Sequence, residues 1–216
     1  LAVHEAAEYW ERSGRKASLE DMLRVYHESY DKHTQRLLSD TPNAEYWFSS
    51  GKFEGPEDIP RRRAIGATMV ERYYDYYVNQ KPGEVIWVTP KGEPAIELGF
   101  SVYFGSVLVR GFIDQIIPEI MRDIKSGNKP GTIFQLATYR YAVYDEHGVD
   151  IRKGDFWMGK NGKPTKPYDL DNMSRQQVTD LYERLDQGVK SEDFDPAPSV
   201  EKCGRCSVRT ACVYAM

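Results

Sequence analysis

Ser106-Val107-Leu108-Val109-Arg110-Gly111-Phe112-Ile113-Asp114-Gln115-Ile116-Ile117-Pro118-Glu119-Ile120-Met121-Arg122-Asp123-Ile124-Lys125 decides how this chain folds. Two runs rich in β-branched residues are separated at Pro118, which predicts two strands of a hairpin. Side chains alternate along a strand, so Asp123 and Lys125 face the same way, and a paired strand carrying Asp114 brings a second carboxylate to them. Two carboxylates beside one fixed ammonium group suit metal-assisted phosphodiester cleavage. Mg2+ and Mn2+ prefer carboxylate oxygens and keep several waters, one of which can become the attacking hydroxide. Lys125 could orient that water or offset charge on the phosphorus. Taken alone, a D-x-K sequence is more readily an exposed ion pair across a hairpin, because chance supplies it often.

Working outward, strands are predicted at Val85 to Thr89, Ala95 to Phe104, Ser106 to Ile117 and Glu119 to Lys125, joined as an antiparallel meander by turns at Lys91-Gly92 and Gly105. After Pro130-Gly131 a helix is predicted from about Thr132 to Tyr144, which puts Gln135 and Tyr139 one turn apart on one face. A further strand, about Asp150 to Met158, precedes the turn at 160–163, and Ser174 caps a helix to Gln187. The N-terminal part reads as helical. Val3, Ala6, Ala7 and Trp10 recur at helical spacing with Gly14 as a stop, and the capping box Ser18-Leu19-Glu20-Asp21 opens a second helix with its stripe on Leu19, Met22, Leu23, Tyr26, Tyr30 and His33. Residues 39 to 56 read as a broken polar loop in which Trp47 and Phe48 suggest packing. A third helix spans about Glu57 to Asn79, its tyrosines being core-edge residues more readily than base-stacking platforms.

The chain of 216 residues is long enough for one domain with a sizeable core. One folding unit is expected, with a helical part at 1–80, a sheet core at 85–190 and a tail at 200–216. No apolar run reaches membrane-spanning length and the start lacks the layout of a secretory signal, which points to the cytoplasm. The net charge of −4 does not advertise a nucleic-acid binder, but attraction to phosphate depends on where the cations lie. Arg61-Arg62-Arg63, Lys125 with Lys129, Lys160 with Lys163 and Lys166, and Lys202 with Arg205 and Arg209 could each border a DNA groove, although each alone reads better as a solvated face.

The joint order of the motifs resembles the PD-(D/E)XK nuclease superfamily, and within it the RecB-like branch that includes small CRISPR-associated adaptation nucleases and phage exonucleases. Leu1-Ala2-Val3-His4-Glu5-Ala6-Ala7-Glu8 is similar to that branch's histidine helix, and Ala95-Ile96-Glu97-Leu98 to its glutamate-bearing strand. Gly111-Phe112-Ile113-Asp114 and Asp123-Ile124-Lys125-Ser126-Gly127 resemble the two central motifs, Gln135-Leu136-Ala137-Thr138-Tyr139 the Q-x-x-x-Y helix, and Cys203-Gly204-Arg205-Cys206 with Cys212 the C-terminal cysteine cluster. The resemblance implies a restriction-endonuclease-like α/β sandwich, a central mixed sheet flanked by helices. It implies Mg2+ or Mn2+ held by Asp114, Asp123, the Ile124 carbonyl and His4, with Lys125 as the catalytic cation. For His4 the residue alone reads more often as a satisfied core or surface histidine. Glu97 could hold a second metal or water near the site, or simply face solvent. Gln135 and Tyr139 could donate to phosphate or hold Lys125 in place, yet a partly buried Tyr is also ordinary core material.

Three cysteines spaced C-x2-C-x5-C argue for a metal or cluster site and against disulfides, and a zinc or 4Fe-4S site needs four ligands. In the family's iron-sulfur members the fourth cysteine lies upstream of the histidine helix. This chain begins at Leu1, already inside that pattern, so residues are expected before it. A 4Fe-4S cluster on Cys203, Cys206 and Cys212, stapling the C-terminus to the N-terminal region, is the preferred expectation, with zinc or three free thiols as alternatives. Together these readings make the chain a metal-dependent deoxyribonuclease, an exonuclease on single-stranded DNA or DNA ends. It would serve recombination and repair, phage DNA processing or CRISPR adaptation in a bacterial, archaeal or phage-infected cell. A weakly catalytic DNA-binding or assembly subunit, partnering a helicase, recombination protein or integrase, is the rival reading.

Overall fold

The N-terminal helices form where apolar side chains repeat at helical spacing. In α1 (Ala2–Arg12) Val3, Ala6, Ala7 and Trp10 are buried, and the chain turns away at Gly14, whose φ of 64° favours glycine. The capping box opens α2 (Leu19–Asp40): the Ser18 hydroxyl accepts from the Asp21 N–H, and the Asp21 carboxylate accepts from the Ser18 N–H. α3 (Gly55–Asp75) runs on into a π-turn over Tyr76–Gln80. Tyr26 of α2 lies across α3 at Gly66, where a Cβ would overlap its hydroxyl and ring, so glycine sets this helix contact. The structure, a computed structural model, describes residues 1–47, 53, 55–204, 206 and 208–216. The packing expected of Phe48 and the cation Arg205 lie outside the described residues. Trp47 is described, and its indole N–H donates to the Thr41 carbonyl at 2.8 Å.

The sheet contains β1 (Ile96–Phe104), β2 (Val107–Ile117), β3 (Ile120–Lys125), β4 (Lys153–Met158), β5 (Lys163–Pro164) and β6 (Tyr168–Asp169). Its order is β1-β2-β3-β4-β5, with β6 also on β4. β1, β2 and β3 pair antiparallel as expected, and β4 pairs parallel to β3, so the sheet is mixed. A parallel neighbour needs a crossover, and α4 (Ile133–His147) supplies it. α5 (Arg175–Lys190) follows the Ser174 capping box, and the short α6 (Val200–Cys203) follows near the C-terminus.

Two expectations change. Val85 to Thr89 is not a strand: Trp87 exchanges single hydrogen bonds with Ile116 and Ala95, and Val88 and Pro94 form an isolated bridge. Pro90 and Pro94 lack the N–H groups that a ladder there would use. The strand expected from Asp150 begins at Lys153, because Asp150 is bound by Arg140 and Arg152.

The sheet separates two cores. One joins Leu98, Phe100, Ile113, Ile116, Met121 and Phe156 to α4 and α5; the other joins Ile124 and Trp157 to α1, α2 and α3. In the first core Ile113 and Ile116 share a side although three residues apart, and so do Ala95 and Leu98. Strict alternation pairs residues two apart. Both strands are therefore kinked at the same level, β1 at Ile96–Glu97 and β2 at Asp114–Gln115, and Glu97 carries a φ of 47°.

Candidate active site

The kink frees the chemistry-bearing side chains. The β2–β3 ladder runs from Ile117–Ile120 to Gln115–Arg122 and stops there, and the next residue of each strand is Asp114 and Asp123. Asp114 Oδ2 accepts the Ile124 N–H at 2.7 Å, and His4 Nε2, carried on α1, lies 3.1 Å from that oxygen and 2.8 Å from the Ile124 carbonyl oxygen. Three donor atoms of the expected metal set thus meet at one point. Asp123 turns the other way along the same face as Lys125: its Oδ2 is 2.8 Å from Lys125 Nζ, while Oδ1 accepts from Gln135 at 2.7 Å and from the Tyr139 hydroxyl at 3.3 Å. The Gln135 oxygen accepts from Lys125 at 3.0 Å, and its nitrogen also donates to Tyr139 at 2.8 Å.

Charge couples the two groups. Burial and then the negative charge of Asp114 push the Asp123 carboxyl above its ordinary pKa, against the pull of Lys125. Glu97 is pushed up for the same two reasons. Burial works against a protonated His4, but the hydrogen bond and charge of Asp114 outweigh it, and its pKa rises. Three crowded carboxylates and a histidine that shares its Nε2 proton with two oxygens form a site that favours added positive charge. The donor chemistry fits a divalent ion: oxygens of Asp114, Asp123 and Ile124 with one imidazole nitrogen suit Mg2+ or Mn2+, and such an ion would replace the proton on His4 Nε2. Among the described residues no three His, Cys, Asp or Glu side chains already stand as a coordination group, in keeping with Asp123 being drawn to Lys125 and Gln135.

The remaining expectations divide. Glu97 lies at the level of Asp114 in the β1–β2 register and is half-buried, not turned fully to solvent. Cys203 is buried, Cys206 exposed and Cys212 intermediate, with no disulfide among them. Arg61 and Arg62 bind Asp58 and Arg63 binds Asp31, so this basic run is tied to carboxylates. Lys129 pairs with Glu201.

Sequence reasoning missed a buried polar network behind the site. Arg122, with 1% of its side chain exposed, makes two bonds to Asp155 at 2.7 and 2.8 Å and reaches Tyr77 and Glu84. Tyr77 donates to Gln115, and Gln115 donates to Tyr73 and Glu11. Arg122 and Gln115 are the last ladder pair before Asp123 and Asp114, so the network anchors the residues next to both carboxylates. Its signal in the sequence was polar residues, Gln115 and Arg122, in otherwise apolar strands.

The mixed sheet, with helices on both faces and its acidic residues released where two strands part, defines a restriction-endonuclease-like α/β fold. The sequence matches the PD-(D/E)XK nuclease superfamily over residues 1–213, and the chain belongs to that superfamily, whose nucleases typically use Mg2+ or Mn2+. It is similar to the Gene 69 protein of Mycobacterium phage D29, with 40% identity over 220 residues that cover 98% of this chain and 81% of the relative. It is also similar to the Gene 69 protein of Mycobacterium phage L5, with 36% identity over 242 residues covering 98% and 83%. Among the described residues no helix is long and apolar enough to cross a membrane.

Proposed function

We propose that residues 1–216 form one divalent-metal-dependent deoxyribonuclease unit that acts as an exonuclease on single-stranded DNA or DNA ends. The observation that carries this reading is the meeting of His4 Nε2, Asp114 Oδ2 and the Ile124 carbonyl beside the Asp123–Lys125 pair. A bound Mg2+ or Mn2+ would supply a Lewis acid and lower the pKa of a coordinated water. Asp114 and Asp123, with His4 and the Ile124 carbonyl, would hold that ion. Lys125, fixed between Asp123 and Gln135, presents its ammonium group to the attacking water and to charge developing on the phosphate. Gln135 and Tyr139 keep the Asp123 carboxylate oriented, and Glu97 adds a carboxylate at the edge of the site. The phage origin of the relatives favours phage DNA processing inside an infected cell as the setting; a helicase, recombination protein or integrase is the proposed partner.

Cys203, Cys206 and Cys212 are proposed as three ligands of a 4Fe-4S cluster, in line with their C-x2-C-x5-C spacing. Iron and sulfide determination on the purified protein tests this, and zinc in their place would replace the cluster with a zinc site.

End-labelled single-stranded and duplex DNA, incubated with and without Mn2+, tests the nuclease reading. The native protein degrades DNA only with the metal, and Asp123→Ala and Lys125→Ala lose cleavage while folding and DNA binding persist. Full activity in the Lys125 variant, or no cleavage of any DNA form by the native protein, overturns it and leaves a DNA-binding assembly subunit as the reading.

A further inference from the structure

Beyond Glu97 and Asp114, where α1 meets it, the β1–β2 hairpin is packed on one face only. Leu98, Phe100 and Val102 point into the core, while the opposite face carries Phe112, Arg110 and Leu108 on β2 and Tyr103 on β1. Phe112 is 64% exposed, Tyr103 61% and Leu108 38%. An antiparallel strand normally presents polar side chains to water, and clustered large apolar groups there mark an interaction surface. The order along the hairpin is informative. Tyr103 pairs with Leu108 near the tip, Arg110 stands at the next level, and Phe112 pairs with Gly99. Two residues further along β2 is Asp114, level with Glu97. At about 3.4 Å per residue, this face runs roughly 20 Å from Tyr103 to the carboxylates.

Each part has a physical role. The Phe112 ring lies across the hairpin over Gly99, where a Cβ would stand in ordinary contact with it, 3.4 Å from Phe112 Cε1. Arg110 is exposed and makes no ion pair or hydrogen bond among the described residues. No acidic residue belongs to this face of the two strands until Glu97 and Asp114. An aromatic, a free guanidinium and a second aromatic in a row match the needs of an unpaired polynucleotide: rings stack on bases and the cation meets the backbone. A second copy of the chain fits less well, because the carboxylates on this face are Glu97 and Asp114, and Asp114 is already engaged by His4 and the Ile124 N–H.

We propose that the outer face of the β1–β2 hairpin is the track that leads single-stranded DNA into the site, with Phe112 as the stacking platform nearest the reacting phosphate and Arg110 as its phosphate contact. This inference rests on the nuclease reading above and names how its substrate is held. A duplex has no free base faces to stack, so the track selects unpaired strands.

Binding of a fluorescent oligothymidylate, measured by anisotropy in EDTA, separates binding from cleavage. Phe112→Ala weakens it about tenfold and Phe112→Tyr retains it. Arg110→Ala weakens it and lowers the salt dependence by about one phosphate contact, a slope change of roughly 0.7. Circular dichroism of each variant matches the native protein, since both side chains are exposed. Native affinity in Phe112→Ala overturns the track, as does sedimentation showing a native dimer that this variant splits. Cleavage by the native protein together with unchanged binding in both alanine variants removes the track and leaves the nuclease reading standing. Phe112-dependent binding without any metal-dependent cleavage does the reverse.

Discussion

The side-chain oxygen of Gln135 accepts a hydrogen bond from Lys125 at 3.0 Å, while the nitrogen of the same amide donates to Asp123 at 2.7 Å. One amide therefore sets the separation between the carboxylate and the ammonium group. Gln135→Leu is expected to lower single-turnover cleavage about 10–100-fold, the usual cost of losing a partner that orients a metal ligand. Tyr139→Phe should lose less, because Gln135 still holds Asp123. An unchanged rate in Gln135→Leu would refute the positioning role.

His4 is expected to act through metal affinity. His4→Ala should weaken Mn2+ binding, read by calorimetry, by at least the roughly 10–100-fold that loss of an outer partner brings. The same metal affinity in variant and native protein would place His4 outside the ion's shell.

Behind the site, Asp155→Ala removes the buried carboxylate partner of Arg122 and leaves its guanidinium only Tyr77 and the partly exposed Glu84. Breaking one side of a buried ion pair costs about 3–5 kcal/mol, so urea denaturation should show a loss of that order. A change within experimental scatter would mean that Tyr77 and Glu84 suffice for Arg122.

At Gly66 the constraint is space. Gly66→Ala drives a methyl group into Tyr26, and overpacking of this kind costs about 1–3 kcal/mol. Thermal melting should fall accordingly, and Tyr26→Phe in the same background should restore part of the loss by removing the hydroxyl.

Acid stability tests Asp150. Its hydrogen bond to Arg140, then to Arg152, holds its carboxyl below the ordinary 3.8 in the folded chain. A depressed folded pKa adds stability above pH 3.8, and that stability is lost as pH falls from there through the folded value. Asp150→Asn should therefore lower stability near neutrality and flatten its fall below about pH 4. An identical acid profile in the variant would show that the pair carries no such linkage.

Much of this was legible from residue order. The helix at Ala2–Arg12, the Ser18 and Ser174 caps, the meander and the pairing of Asp123 with Lys125 follow from periodicity and capping chemistry, which are local. A place for His4 beside Asp114 is implied only by the family resemblance, which makes both metal ligands, since nothing local links positions 110 residues apart. The kink at Glu97 was hidden because alternation assumes a regular strand, and a φ of 47° on a glutamate has no sequence signal. The network of Arg122 and Asp155 was hidden because burying an arginine depends on partners from β4 and the helical layer. Val85 to Thr89 has the composition of a strand, but Pro90 and Pro94 beside it lack the N–H groups that a ladder would use.

The bond from His4 to the Ile124 carbonyl spans 120 residues. During synthesis the helix that carries His4 emerges before its two partners, so the meeting of His4, Asp114 and the Ile124 carbonyl stays incomplete until β3 has left the ribosome. On the proposed function, truncated translation products ending before β3 would thus be inert toward the nucleic acid around them.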